Sequence, residues 1–157
     1  MFHRLKYNCF VMPVLLVFVA CSSNTMYHEN KMVDKTVWHA DSILTFRFDV
    51  SDTVSLCDIN ISTRNLEAYP YSNIWFFVKI TAPDSSMVSD TVEYQLAEAS
   101  GKWLGTGTGG LYSNEFNFLQ NVYFPIKGAY SIAIKHGMRN KSLKGISDIG
   151  LSVEKKN

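Results

Sequence analysis

Cys21 is the residue with the clearest chemical prospect in this chain. It directly follows the small residue Ala20, which closes an apolar run from Cys9, and that run follows a basic start at His3, Arg4 and Lys6. The run is too short to span a bilayer, which takes about 20 apolar residues, and its order of basic, apolar and small is that of a secretory signal. A thiol at this point adds the chemistry of bacterial lipoproteins. Cleavage between Ala20 and Cys21 leaves the cysteine as an amino-terminal anchor carrying covalent diacylglyceryl and N-acyl lipid. The plainer reading is an ordinary cleaved signal with an incidental cysteine. Phe18 stands where leucine is the usual residue of the lipoprotein cleavage motif.

Other reactive groups are sparse. Gly105-Thr106-Gly107-Thr108-Gly109-Gly110 contains a formal G-x-G-x-x-G. A nucleotide site would need a strand before it, a helix after it and an acidic residue some twenty positions on. Leu111-Tyr112-Ser113-Asn114 follows instead, so the glycines read as a mobile loop with positive φ angles. His28, His39 and His136 are scattered, and no metal ligand set is expected. No G-x-S-x-G elbow occurs. Once Cys9 leaves with the signal and Cys21 carries lipid, Cys57 is the one remaining thiol; it cannot form an internal disulfide and reads as a buried core residue. No catalytic residues are assigned, and the chain is not expected to be an enzyme.

The elements that position these groups are strands. Leu44, Phe46, Phe48 and Val50 alternate with polar residues, as do Cys57, Ile59, Ile61 and Thr63. Ile74–Ile80 is apolar on both faces and reads as a central strand covered twice. Val88–Leu96, a strand ending at Phe124, Tyr130–His136 and Ile149–Val153 complete the set, with a short turn expected between Met138 and Leu143. No segment has a helical apolar stripe with caps. The pattern predicts an all-β antiparallel β-sandwich, Ig-like or jelly-roll-like, of seven or eight strands. Residues 1–20 are the signal, 21–35 a polar tether, and 36–157 the folded domain.

Composition narrows the partners. Of 157 residues, 137 remain after cleavage, enough for one domain with a real core. Arg4 and Lys6 leave with the signal, so Lys+Arg falls from 15 to 13 against 14 Asp+Glu, a net charge of −1. No basic patch points to nucleic acid, and no small-molecule substrate is indicated.

Two loop clusters carry aromatic rings: Tyr69-Pro70-Tyr71-Ser72-Asn73 and Lys102-Trp103-Leu104-Gly105. Such rings either anchor a partner or stack on sugars, or they plug the open end of the core. Plugging is the favoured reading for Trp103, and both readings stay open for Tyr69 and Tyr71.

At these clusters the chain resembles the gliding-motility lipoprotein GldH family of the Bacteroidetes. The segments that carry the resemblance are Tyr69 through Phe77, Gly101 through Gly107, Phe124-Pro125 with Gly128-Ala129-Tyr130, and the tail from Met138-Arg139 through Gly145-Ile146 to Leu151. Lys144 stands where the family usually has proline, and Gly110 where aspartate is common. The resemblance implies a cell-envelope lipoprotein that supports the gliding apparatus and the linked type IX secretion system, with no catalytic residues. It implies envelope protein partners and a membrane contact through the lipid. Tyr69, Tyr71, Asn73, Trp103, Leu104 and Arg139 are the candidate interaction residues. The competing expectation is a carbohydrate- or peptidoglycan-binding sandwich using the same rings.

Ser22-Ser23-Asn24 carries neither an aspartate at the second position nor an acidic run, which places the chain on the periplasmic leaflet of the outer membrane. Asp41-Ser42-Ile43, Asp52-Thr53-Val54 and Asp90-Thr91-Val92 look like acceptors of Bacteroidetes O-glycosylation at Ser42, Thr53 and Thr91. Turn-then-strand chemistry generates the same tripeptides.

Overall fold

The computed structural model describes residues 24–156. Eleven strands form among them: β1 (Thr25–Met32), β2 (Val37–His39), β3 (Leu44–Val50), β4 (Cys57–Leu66), β5 (Asn73–Thr81), β6 (Met87–Gln95), β7 (Thr106–Thr108), β8 (Leu111–Val122), β9 (Gly128–His136), β10 (Ser142–Lys144) and β11 (Ile146–Lys155). They build two facing antiparallel sheets. The first has the order β1-β11-β4-β8-β7, the second β3-β9-β5-β6, and β2 with β10 makes a separate ribbon. The architecture is the expected antiparallel β-sandwich, with more strands than the seven or eight expected from sequence.

Period-two alternation explains the layering. On β4, Cys57, Ile59, Ile61, Thr63 and Asn65 are buried while their neighbours on the other face are partly exposed. Opposite them, Ile149, Leu151 and Val153 of β11 pair with Thr63, Ile61 and Ile59 and face the same core. The second sheet contributes Phe46, Phe48, Ile74, Phe76, Val78, Ile132 and Ile134. Cys57 is a buried free thiol, as expected, and burial raises its pKa.

The expected tether from 21 to 35 is corrected where it can be seen. Thr25–Met32 is a strand paired with β11, from Thr25 opposite Glu154 to Met32 opposite Asp148. Its polar composition reflects an edge position. Glu29 and Lys31 fall on the face with Tyr27, where they bond each other at 2.8 Å, and the Lys31 ammonium lies 5.5 Å from the Phe46 ring centre. Charged side chains turned toward the core rim are a common way to keep an edge from pairing with another chain. The folded domain therefore includes Thr25–Met32 and does not start at residue 36.

The glycines take the positive φ angles expected of them, but as the turn of a paired hairpin. Gly109 and Gly110, with φ of 68° and 80°, form the two-residue turn of a β7–β8 hairpin in which Thr108 faces Leu111. Two consecutive positive φ angles are what such a turn requires, and glycine supplies them without strain. Gly107 is extended in β7, where a Cβ would come within 1.9 Å of the Leu111 carbonyl oxygen.

The two ends of the sandwich differ. The chain enters at Asn24, whose carbonyl accepts a hydrogen bond from the Lys155 amide at 2.8 Å. The β3–β4, β5–β6 and β8–β9 connections lie at this entry end with the last residues of β11. The far end is closed by the β2–β10 ribbon, which buries Trp38 and Leu143. His136 packs there at 5.4 Å from the Trp38 ring, with neither ring nitrogen hydrogen-bonded.

Burial lowers the His136 pKa below the ordinary imidazole value. The unfolded chain therefore takes up a proton that the folded chain resists. Stability should be fully present above pH ~6.5 and fall below it, at up to about 1.4 kcal/mol per pH unit, until the folded-state value is reached. Urea melts between pH 7 and pH 5 on His136→Leu should show a flatter profile than on the natural sequence; parallel profiles would remove His136 as the cause.

Candidate functional site

The outer face of the second sheet carries an exposed apolar surface. On β5, Ile74, Phe76 and Val78 point inward, which turns Trp75, Phe77 and Lys79 outward. Trp75 is 36% and Phe77 42% exposed, and Ile43 beside them is 58% exposed. The expectation that this strand is covered on both faces is thus overturned. β5 is central within its sheet, but among the described residues no third layer lies over it.

Neighbouring strands frame the two rings. Lys135 of β9 pairs opposite Phe77 and places its ammonium 5.3 Å from that ring's centre. Thr91 and Glu93 of β6 lie opposite Phe77 and Trp75. Gly137 follows β9, and its amide donates to the Trp75 carbonyl at 2.7 Å. A Cβ at Gly137 would sit 3.1 Å from both the Phe77 ring and the Trp75 Cβ, so glycine lets the rings lie close over the backbone. A shallow groove of about 520 Å3 runs beside Phe77 between Ile43, Lys79, Thr91 and Lys135.

Toward the far end the face opens into a cleft of about 440 Å3 lined by Tyr71, Asn73, Trp75, Met138, Arg139 and Asn140. The Tyr71 hydroxyl donates to Asn140 Oδ1 at 2.6 Å, joining the β4–β5 and β9–β10 connections. The Asn73 amide donates to Glu93 Oε1 at 2.5 Å. Three of the six candidate interaction residues, Tyr71, Asn73 and Arg139, therefore meet in one cleft.

The other three do not join them on the surface. Tyr69 is 3% exposed, and its hydroxyl donates to the Asn73 carbonyl at 2.9 Å. Burial, reinforced by Tyr71, pushes its pKa well above the ordinary phenol value. It is a core residue, and its assignment as a contact is corrected. Trp103 is half-buried against Tyr69 and Tyr112, with ring centres 6.4 and 5.5 Å away, and is held by a backbone bridge to Ala97. It plugs the core end, the reading favoured for it. Both loop clusters are thus one aromatic stack, in which Tyr71 lies 5.7 Å from Tyr69 and is the member that reaches the cleft. Leu104 is exposed on a separate surface beside Gln95 and Phe116.

Trp75, Phe77 and Ile43 are the surface residues that sequence reasoning missed. The available signal was a count of layers. Strands long enough for only two sheets leave every outer face without a cover, so an apolar outer face on β5 had to meet solvent or a partner.

The outer face of the first sheet is polar. Asn30, Asn60, Ser62, Arg64, Asp148 and Ser152 line a depression of about 250 Å3. Arg64 Nε lies 2.8 Å from both oxygens of Asp148, whose side chain is almost wholly buried. Gly150 makes this floor, since a Cβ there would come within 2.2 Å of Asn30 and Ser62 side-chain oxygens. Among the described residues, no group of three His, Cys, Asp or Glu side chains is placed to hold a metal ion.

The three glycosylation candidates fall in different settings. Ser42 is exposed in the β2–β3 connection and Thr91 is exposed on β6, whereas Thr53 is only partly exposed. Asp52 accepts from the Val54 and Ser55 amides, which is turn chemistry and accounts for that aspartate structurally. Ala20 and Cys21 lie outside the described residues.

The architecture is a two-sheet antiparallel β-sandwich with one largely apolar and one polar outer face. Residues 25–153 match the GldH lipoprotein family, and the chain belongs to that family. It is similar to the gliding motility lipoprotein GldH homolog of Christiangramia forsetii, 32% identical over 148 residues that cover 90% of each chain. It is also similar to the gliding motility lipoprotein GldH of Flavobacterium johnsoniae, 28% identical over 98% of this chain and 99% of the relative. Among solved structures, the infectious bursal disease virus VP2 subviral particle aligns with a TM-score of 0.35 at 12% identity, over 84% of this chain and 31% of that one. A likeness that slight bears on neither fold nor function.

Proposed function

We propose that this chain is a lipid-anchored envelope protein of the gliding apparatus, and of the type IX secretion system linked to it, that works by holding a protein partner without catalysing a reaction. The names of both relatives, gliding motility lipoproteins, support the lipid anchor and the gliding role; the secretion link rests on the family resemblance alone. The single observation that carries the partner-holding role is the exposed Trp75–Phe77 face running into the Tyr71–Arg139 cleft. Aromatic rings at the centre of a patch, rimmed by Lys79, Lys135, Glu93 and Arg139, match the make-up of protein interfaces. This face also approaches the far end, away from the point where the chain leads back to Cys21. The anchor, carried on Cys21 at the periplasmic leaflet of the outer membrane, fixes location; the face supplies contact. O-glycosylation at Ser42, Thr53 and Thr91 belongs to the same proposal, and an intact mass showing lipid additions only would remove it.

Trp75→Ala combined with Phe77→Ala is expected to lower partner capture at least tenfold, since paired aromatic anchors at an interface each carry upward of ~2 kcal/mol. The check is photo-crosslinking in intact cells from position 77, with position 113 on the opposite sheet as control, followed by identification of the captured proteins. A double variant that folds, captures the same proteins and supports normal gliding and secretion would refute the assignment.

A second reading has its own observation. The amide- and hydroxyl-rich depression at Asn30, Asn60, Ser62 and Ser152 suits a saccharide's hydrogen bonds. Peptidoglycan pull-down with Ser62→Leu as control separates the two readings, because only the second predicts direct saccharide binding.

A further inference from the structure

Five of the ten large apolar side chains left exposed among the described residues gather at the entry end: Val54, Leu56, Met87, Val88 and Tyr123. Val54 is 87% and Tyr123 61% exposed. They come from the β3–β4 connection, the start of β6 and the β8–β9 connection, which the fold brings to the end where the chain enters. The Lys156 amide donates to the Leu56 carbonyl at 2.8 Å, and the adjacent Lys155 amide donates to Asn24. The Lys156 ammonium donates to Asn121 Oδ1 at 2.7 Å, which draws the β8–β9 connection carrying Tyr123 to the same point. The β5–β6 turn closes the group, since Pro83 packs against Gly128 at the start of β9. Behind the exposed residues runs an apolar groove of about 230 Å3 along Ile80, Ala82, Val88, Leu119, Tyr123 and Ile126.

Water is the wrong neighbour for such a cluster, and the chain itself indicates the right one. Cys21 is three positions before Asn24. Three residues reach at most about 10 Å. An acylated Cys21 in a leaflet therefore holds the entry end, and no other part of the domain, against the lipid. We propose that this end is a second membrane contact, in which Val54, Leu56, Met87, Val88 and Tyr123 rest in the lipid interface of the leaflet that carries the acyl chains. The proposal rests on the anchoring reading above.

Charge gives the contact a definite character. Lys155 is bound to Asp52 at 2.8 Å and Lys156 lies 3.6 Å from Asp58, so the basic groups that close β11 are matched within the fold, and the exposed Lys127 of the β8–β9 connection is offset by the exposed Asp84 of the β5–β6 turn at the same end. Attraction to anionic headgroups is then a small part of the contact. The apolar side chains and the amphipathic Tyr123 ring supply it, and it should neither need anionic lipid nor weaken in salt.

The test uses the full acylated chain in phosphatidylethanolamine vesicles made with or without brominated acyl chains. Leu56→Trp and Tyr123→Trp are compared with Arg139→Trp at the far end, each as fluorescence added over the unsubstituted chain, with circular dichroism showing that all three fold. Bromine quenching should be roughly twofold or more stronger for the two entry-end variants than for Arg139→Trp, and equal at low and high salt, as expected of side chains seated at the acyl boundary. Equal quenching at all three positions overturns the proposal while leaving the anchor intact. Crosslinks between copies through position 56 in place of quenching overturn it in favour of a second copy of the chain. A chain that fails to float with the vesicles overturns the anchoring reading itself.

Discussion

Cys21→Ala, exported behind an ordinary cleavable secretory signal so that the leader is still removed, is expected to release the chain from the membrane and leave its fold unchanged. Each buried methylene of an acyl chain contributes about 0.8 kcal/mol, and stable residence takes more than one chain, so losing all of them should lower the bound fraction by at least a hundredfold. What remains is the entry-end contact, which is weak and reversible alone. The fold does not need the anchor, because backbone pairing begins at Asn24 and Thr25. Fractionation of cells should find the variant in the soluble periplasm, and its thermal midpoint should match that of the lipidated chain in detergent. A variant that stays with the outer membrane, or that supports full function while soluble, would count against the anchor.

Gly145→Ala is expected to destabilise the domain strongly. Gly145 joins β10 to β11 at a φ of 89° and is buried. A Cβ there would lie 2.8 Å from the Tyr69 Cα and 3.0 Å from its amide nitrogen, which are backbone atoms that cannot swing aside. The Gly145 amide donates to Thr36 at 2.9 Å and its carbonyl accepts from Leu66 at 2.8 Å, so a shift would break two further connections. Left-handed strain of 1–3 kcal/mol and overpacking of similar size add to roughly 3–5 kcal/mol, a large part of the 5–15 kcal/mol by which domains are stable. The thermal midpoint should fall by roughly 10–20 °C. Gly101→Ala is the comparison, with a φ of 85° and nothing within 4 Å of the added carbon. It should cost about 1–2 kcal/mol, and equal losses at the two sites would show that packing at Tyr69 contributes nothing.

Much of the fold is legible in the chain because one face of each interior strand is buried. Leu44–Val50, Cys57–Thr63 and Tyr130–His136 read correctly for that reason. β1 was hidden because an edge strand faces little core, and Glu29 and Lys31 occupy its inward positions. Of β8 only the closing residues at Val122 were legible, because its alternation slips. Asn60 faces Asn117 while Ile59 faces Leu119, a bulge that shifts the pattern, and the inward Asn114 is polar, donating to Asn65 Oδ1 at 3.0 Å. The site was half legible. Aromatic loop clusters marked the right end of the molecule, but which ring faces out depends on contacts across distant segments. Tyr71 meets Asn140 across 69 positions, and no local pattern carries that information.

The pairing of β1 with β11 has a mechanical meaning for a protein held by lipid at one end. β1 runs from the entry end toward the far end, and its seven paired positions lie along that axis, which under the proposed function leads from the membrane toward the partner. Tension between lipid and partner therefore slides β1 along its neighbour, loading those rungs side by side so that they share the force. Tension between Asn24 and Lys155, which lie side by side at the same end, would peel the rungs apart in turn. The geometry resists traction in the direction from which a membrane-held protein receives it.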